Sequence, residues 1–167
     1  QNSIAEGIYY KRNWNNRLQT TFETYETDYK LKANNVNILE SQRFLQENKV
    51  SETSLKLKVD YRFNEVLRLL NGYHFVETQV TNVDDVDNPL FRERVSEVVR
   101  THALFSQVTF RSKNHNTNLD FGLRANYIEK FGKTIIEPRL SFNQRFLSYF
   151  TFEVLGEFKH QNTSQII

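Results

Sequence analysis

The feature that most constrains this fold is a regular alternation of apolar and polar residues in TNLDFGLRANYIEKFG, residues 117–132. For about ten residues every second side chain is apolar, and these side chains are Leu119, Phe121, Leu123, Ala125 and Tyr127. Side chains of a β-strand point alternately to its two faces. The segment is therefore predicted to be a strand with one apolar side and one polar side.

This alternation fits two environments. In a soluble β-protein the apolar side faces the core, whereas in a membrane barrel it faces lipid and the polar side lines a wet lumen. A charge on the lipid side near the bilayer midplane costs about 2–4 kcal/mol, and Arg124 lies near the middle of this strand. We therefore predict that Leu119, Phe121, Leu123 and Tyr127 face lipid, and that the lumen side carries Asp120, Arg124 and Asn126.

The rest of the chain gives about eight extended segments and no convincing helix. The clearest companion is SLKLKVDYRF, residues 54–63. In residues 16–33 the apolar positions switch face, which predicts a bulge near Thr24. Residues 98–112 leave two facings open, because Ala103 and Phe105 compete with Leu104, Val108 and Phe110. The acidic stretch NVDDVDNPLFRER, residues 82–94, is predicted to be a long loop.

Connections between these segments are predicted to alternate in length. Short turns are expected near 13–16, 63–66, 112–116 and 144–149, and longer links near 34–50, 81–94 and after 160. Outer-membrane barrels have short turns at one end and long loops at the other. Several rings lie at the short turns, as in an interfacial aromatic girdle: Trp14, Phe63, Phe146, Tyr149 and Phe150. The pattern favours an all-β, antiparallel transmembrane barrel segment.

Composition excludes several classes of protein. A net charge of +2 is too small for a nucleic-acid binder that relies on basic excess. The absence of cysteine removes disulfides, Cys-based zinc sites and Cys nucleophiles. An aromatic content of 14% argues against disorder. The chain begins with Gln1 rather than Met, so we expect it to start inside something longer or after processing.

Candidate sites for metals and catalysis are weak. The four histidines, His74, His102, His115 and His160, lack the short spacing of zinc ligands. Calcium-binding loops space their oxygen ligands around a glycine and end in a glutamate, and Asp84, Asp85 and Asp87 do not fit that spacing. Glu153 and Glu157 would lie about 13 Å apart on a strand, too far for a glycosidase pair. We expect neither enzyme activity nor a cofactor or metal.

Four charges on neighbouring strands are the more informative candidates. Asp120, Arg124, Glu137 and Arg139 are all predicted to lie on the polar, lumen-facing side, with Glu137 or Arg139 opposite Arg124. They could form a ladder of ion pairs that sets the register, or a charged lumen that contacts a plug or a passing solute.

The later segments also resemble a known family. IIEPRLSFN followed by FEVLGEFKHQNTSQII, with GLRANYIEKF before them and NGYHFVETQVTN…NPLF upstream, resembles the barrel of TonB-dependent outer-membrane receptors of the Bacteroidetes. SQRFLQENKVSETSLKLKVDYRF is similar in kind, so the resemblance runs from about Trp14 to the end. It implies a 22-stranded barrel around an N-terminal plug, in the outer membrane of a Gram-negative bacterium. It also implies uptake of a nutrient such as a siderophore, glycan or peptide, driven by the TonB complex.

The chain departs from that family pattern in length. Its 167 residues hold about eight strands, without a plug-like segment or a visible TonB box. We therefore expect residues 1–167 to be one piece of the barrel wall. Its partners would be outer-membrane lipid, the plug, the remaining strands, the TonB complex and, for some cargoes, a SusD-like surface lipoprotein. Two alternatives remain: a complete eight-stranded outer-membrane barrel acting as anchor or adhesin, and a soluble lipocalin-like binding barrel.

Overall fold

The chain forms one antiparallel sheet of eight strands in a computed structural model that describes residues 1–37, 39, 41–146 and 149–160. Each strand pairs with its neighbours in sequence. The strands are β1 (Asn2–Asn13), β2 (Leu18–Asn37), β3 (Gln42–Arg62), β4 (Leu67–Asp87), β5 (Leu90–Arg111), β6 (Thr117–Ile128), β7 (Lys133–Phe146) and β8 (Phe150–Glu157). A single 3-10 turn, Glu129–Phe131, precedes β7. The prediction of an all-β, antiparallel fold of about eight strands is confirmed.

The pairing register assigns every strand residue to one of two faces, because directly opposed residues of antiparallel strands project to the same side. Arg124 opposes Phe105 on β5 and Glu137 on β7. We call the side that carries Asp120, Arg124 and their register partners the polar face. The opposite side, which carries Phe121, Leu123 and their partners, is the apolar face.

Strands β2 to β5 are far longer than the apolar alternation indicates. The predicted acidic loop is wrong, because β4 continues to Asp87 and β5 begins at Leu90. Ladder hydrogen bonds and cross-strand ion pairs hold this polar part together, such as Arg100 Nε to Glu77 Oε2 at 2.5 Å. The predicted link at 34–50 is likewise mostly strand, since β2 reaches Asn37 and β3 starts at Gln42. We call residues 26–37, 42–53, 77–87 and 90–100 the extension.

The predicted bulge near Thr24 is wrong. Residues of β2 pair one-to-one with β1 and with β3 through this point. The apolar residues of β2 change face because the strand continues beyond the part of the sheet that has one apolar face. Tyr25 lies at this point and projects from the polar face. Its hydroxyl lies 3.0 Å from Glu52 Oε1, so this ring carries a polar group that is satisfied on that face.

Pairing with β6 resolves the facing of β5. Phe105 opposes Arg124 and so belongs to the polar face together with Ala103. Leu104 opposes Ala125, which places it on the apolar face with Val108 and Phe110.

Asparagine side chains close the turns at one end of the sheet. Asn15 Oδ1 accepts hydrogen bonds from the backbone N–H groups of Arg17 and Leu18, both at 2.8 Å. Asn64 Oδ1 does the same for the backbone N–H groups of Val66 and Leu67, at 2.9 and 2.8 Å. Such Asx turns substitute for a backbone turn without needing glycine. We call this end of the sheet, where residues 14–17, 63–66 and 112–116 connect strands, the turn end.

The sheet is open within the described residues. β1 pairs only with β2, and β8 only with β7. Both edge strands are exposed along their whole length. An unpaired strand edge presents free N–H and C=O groups, so these two edges are the natural places for further strands.

Candidate functional site: the polar face and its cationic hollow

Burial is concentrated on the polar face. Every buried side chain with a Cβ in the described part of the chain projects from it: Thr21, Ser54, Ala103, Ile128 and Ile135. Large apolar side chains are instead exposed on the apolar face, with Leu104 65% and Phe121 49% exposed. Side chains converge on the inside of a curved sheet and spread apart on its outside. The difference therefore indicates that the polar face is concave.

This distribution is the reverse of a soluble sandwich or barrel. Soluble domains bury Ile, Leu, Val and Phe first. Among the described residues, the largest side chain that is fully buried belongs to Ser54. Within the described residues, no layer covers the apolar face.

The register divides the side chains of β6 between the two faces of the sheet. Leu119, Phe121, Leu123 and Tyr127 share the apolar face, because they lie at every second position of one strand. Asp120, Arg124 and Asn126 share the polar face. Glu137 and Arg139 of β7 join them, since they oppose Arg124 and Gly122.

The apolar residues form an oblique band across the apolar face. The row of paired residues that starts at Tyr10 on β1 runs through successive strands to Ile136 on β7. On β1 the apolar residues of this face are Tyr10, on the row itself, and Ile8 and Ile4, which lie farther from the turn end. On β8 they lie nearer the turn end, from Phe150 to Val154. Between β1 and β8 the band therefore moves along the strands by roughly ten residues towards the turn end. With a rise of about 3.3 Å per residue and a spacing of about 4.8 Å between strands, this displacement corresponds to a strand tilt of about 40–45°.

Arg124 is the centre of a hydrogen-bonded network on the polar face. Its Nε donates to Asn126 Oδ1 at 2.8 Å, and its Nη2 lies 3.2 Å from His74 Nδ1. An arginine only donates, so His74 Nδ1 is the acceptor and its ring carries the proton on Nε2. That Nε2 lies 2.9 Å from the hydroxyl of Ser54, which is fully buried.

Of the two partners that the sequence left open for Arg124, Glu137 is the one in register, but the two charges do not form an ion pair. Glu137 Oε2 instead accepts from Asn126 Nδ2 at 2.9 Å, and its Oε1 accepts from the backbone N–H of His160 at 3.1 Å. Asn126 therefore stands between the two charged groups and bonds to both.

Arg139 and two other cations of the polar face have carboxylate partners. Arg139 Nη2 lies 2.6 Å from Glu157 Oε1 on the neighbouring strand. Lys58 pairs with Glu23, and Arg68 with Asp60. These cross-strand ion pairs join residues other than the four charges considered from the sequence, since Arg139 alone of those four takes part in one. Asp120 is held differently, by the hydroxyl of Thr109.

Phe105 forms the floor of a hollow between these charges. Its ring lies over Gly72, where an added Cβ would meet the ring atom Cζ at 2.2 Å. The Arg124 guanidinium carbon lies 5.9 Å from the ring centroid. The hollow has a volume of about 230 Å³ and is open to solvent on the polar face.

Sequence reasoning missed His74, Ser54 and Phe105 as parts of this site. Their segments were recognised as strands, but only the register brings His74 and Arg124, two strands apart, into contact. Gly72 carried the one available signal, because a glycine inside a strand often marks a close approach of another group.

The carboxylates considered for calcium lie on strands. Asp84 projects from the polar face, whereas Asp85 and Asp87 project from the other. Arg92 Nε lies 4.0 Å from Asp85 Oδ2, and Arg43 Nε lies 3.9 Å from Asp87 Oδ2. Within the described residues, no group of three or more His, Asp or Glu side chains has an arrangement able to hold a metal ion.

Comparisons with known proteins do not add a family. Neither the protein-family models nor the curated proteins contain a match to this chain. The part of the chain that the structure describes holds no helix with the length and hydropathy needed for a membrane span.

Proposed function

We propose that this chain is a segment of the wall of a transmembrane β-barrel in the outer membrane of a Gram-negative bacterium. In this proposal the apolar face meets lipid and the polar face lines the lumen. The barrel belongs to a TonB-dependent receptor that takes up a nutrient. The segment itself is passive: it encloses a plug and presents the extension to the medium.

The observation that carries the proposal is the inverted exposure of the two faces. Lipid-facing side chains of a barrel are apolar and lumen-facing ones are polar. On β6 the apolar residues run from Leu119 to Tyr127, about 26 Å along the strand at its usual rise. With the tilt of the band this spans about 20 Å along the membrane normal, close to the height of about 25 Å that a barrel presents to lipid.

The oblique course of the band supports the same proposal. Strands of membrane barrels tilt by about 35–45°, so a horizontal slab of lipid meets successive strands at shifted positions. The shift between β1 and β8 has the size that this tilt requires. A soluble lipocalin-like barrel also has tilted strands, but its apolar side chains would line the cavity, and here they are the exposed ones.

The open edges favour a barrel of more than eight strands. A closed eight-stranded anchor or adhesin would pair β8 with β1, whereas both strands are exposed here. Open edges are not tolerated in lipid. The remaining strands would come from the rest of the protein, as the resemblance to TonB-dependent receptors implies.

The assignment to that family, with its plug, TonB complex and SusD-like lipoprotein, rests on the resemblance of the segments around Glu137 and Gly122. The gene that encodes this chain gives the first test. We expect a plug domain upstream and roughly fourteen further strands, by the count of a 22-stranded barrel. A gene that begins near Gln1 and ends near Ile167 would contradict the transporter.

Assembly into the membrane tests the facing of the strands. We expect Leu123→Arg in the full-length protein to reduce assembly in outer-membrane fractions, because a lipid-facing arginine costs about 2–4 kcal/mol. The matched variant is Gln107→Arg, on the polar face of the adjacent strand, and it should assemble normally. Folded barrel is measured by its heat-modifiable migration on gels. Equal assembly of the two variants would contradict the proposal.

A further inference from the structure

The hollow on the polar face carries more positive than negative charge. Its charged lining consists of Lys56, Lys58, Arg124, Arg139, Glu137 and Glu157. Lys58 and Arg139 have carboxylate partners in Glu23 and Glu157. Lys56 and Arg124 have none among the described residues. Lys56 and Arg124 are therefore not engaged by a carboxylate of this part of the chain, and with Glu137 and Glu23 counted the hollow keeps a net positive charge.

Arg124 is fixed in place by neutral groups. Its bonds to Asn126 and His74 use two of its five N–H groups. The other three are without a partner in the described part of the chain. Because the side chain is already oriented and only partly exposed, a ligand would gain its hydrogen bonds without ordering a flexible arginine.

Lys56 lies on the same side of the sheet and opposes His74 on the neighbouring strand. Arg124 contacts that same histidine, so the two cations flank one imidazole ring. The ring is neutral in this arrangement, because its Nδ1 accepts from Arg124. Glu137, the nearest carboxylate to Arg124 in the register, is already bonded to Asn126 and to a backbone N–H.

We propose that this hollow binds one oxyanion group, a carboxylate or a phosphate, between Arg124 and Lys56. Guanidinium and ammonium groups form short, charge-assisted hydrogen bonds with such groups. The inference rests on the proposed function, in which the polar face lines a lumen. The oxyanion then comes either from a solute in that lumen or from an acidic side chain of the plug.

The test uses the full-length protein purified in detergent, with Arg124→Gln and Lys56→Gln as variants. Lys113→Gln, a change in an exposed turn, is the control. Thermal unfolding is followed while sodium citrate or sodium phosphate replaces sodium chloride at constant ionic strength. If a solute supplies the oxyanion, citrate or phosphate raises the Tm of the wild type and of the control. Each site variant then needs at least about tenfold more anion, as expected for loss of a hydrogen bond to a charged group.

Amide hydrogen exchange of the plug distinguishes the second source. If a plug carboxylate occupies the hollow, added anion leaves the Tm of the wild type unchanged. Both site variants then show faster amide exchange in the plug than Lys113→Gln does. The inference is overturned if both site variants match the control in anion response and in plug exchange. Cell fractionation tests the proposed function separately, because a protein found outside the membrane contradicts the barrel. The anion titration tests only the hollow, because it is read on the purified protein.

Discussion

Replacing Gly72 by alanine should weaken this sheet, because the position has no space for a methyl group. A Cβ there would lie 2.2 Å from Phe105 Cζ and 2.6 Å from the backbone oxygen of Leu57. The ring can turn aside, but the carbonyl belongs to the paired strand and moves only with its backbone. Overpacking of this kind costs about 1–3 kcal/mol, which exceeds the gain of roughly 0.5–1 kcal/mol from replacing a strand glycine by alanine.

Gly122→Ala is the matched control for this prediction. Gly122 also lies in a strand and on the polar face, but its added Cβ would meet neighbours only at 3.8 Å or beyond. We expect this variant to be as stable as the wild type or slightly more stable. The assay is the urea dependence of unfolding of the full-length protein in detergent, read as the free energy of unfolding.

A double variant separates the two close contacts at Gly72. Phe105→Ala removes the ring, so Gly72→Ala should cost less in that background, and the difference measures the ring contact. If Gly72→Ala is as stable as Gly122→Ala, the close packing of Phe105 on Gly72 is refuted.

Two further predictions concern the apolar face. Asn71 opposes Ser106 within the apolar band. Asn71→Leu should therefore raise the free energy of unfolding in lipid bilayers by about 1–3 kcal/mol, whereas Gln79→Leu in the extension should leave it unchanged. Both are read from the urea midpoint, and equal shifts of that midpoint in the two variants would contradict the prediction. Hydrogen bonds from Lys30, and then Lys32, lower the pKa of Glu47 in the extension. A lowered folded-state pKa gives stability that is present above the ordinary carboxyl range and lost as the pH falls through the folded value. Hydrogen-exchange protection of the β2–β3 ladder around Glu47, corrected for the intrinsic exchange rate at each pH, should therefore fall as the pH drops below the ordinary carboxyl range, and fall less in Glu47→Gln.

The sequence predicts the strands well wherever one face is apolar. β6 and the second half of β3 were recognised from alternation alone, because their apolar side chains repeat with period two. The extension was missed for the same reason. Its strands carry polar residues on both faces, so pairing there depends on ladder hydrogen bonds and ion pairs that alternation does not report.

The candidate site was predicted only in part. The sequence left Glu137 and Arg139 open as the neighbour of Arg124, and the register selects Glu137. The sequence could not predict that Arg124 turns to His74, because that contact passes over β5 and depends on the register of β4, β5 and β6 together. The two facings of β5 were left open because both sides of the strand carry an aromatic residue, Phe105 or Phe110, and only pairing with β6 decides between them.

Site-directed spin labelling along residues 119–127 tests the central claim most directly. Residues 1–167 contain no cysteine, and any cysteine elsewhere in the full-length protein is first replaced by serine. Single cysteines at these positions of the full-length protein in lipid bilayers are labelled, and collisions with oxygen, which dissolves in lipid, are compared with collisions with a water-soluble nickel chelate. We expect period-two behaviour, with oxygen access highest at Leu119, Phe121, Leu123 and Tyr127 and nickel access highest at Arg124. Nickel access at the apolar positions equal to that at Arg124, or oxygen access that peaks at Arg124, would contradict the barrel-wall account.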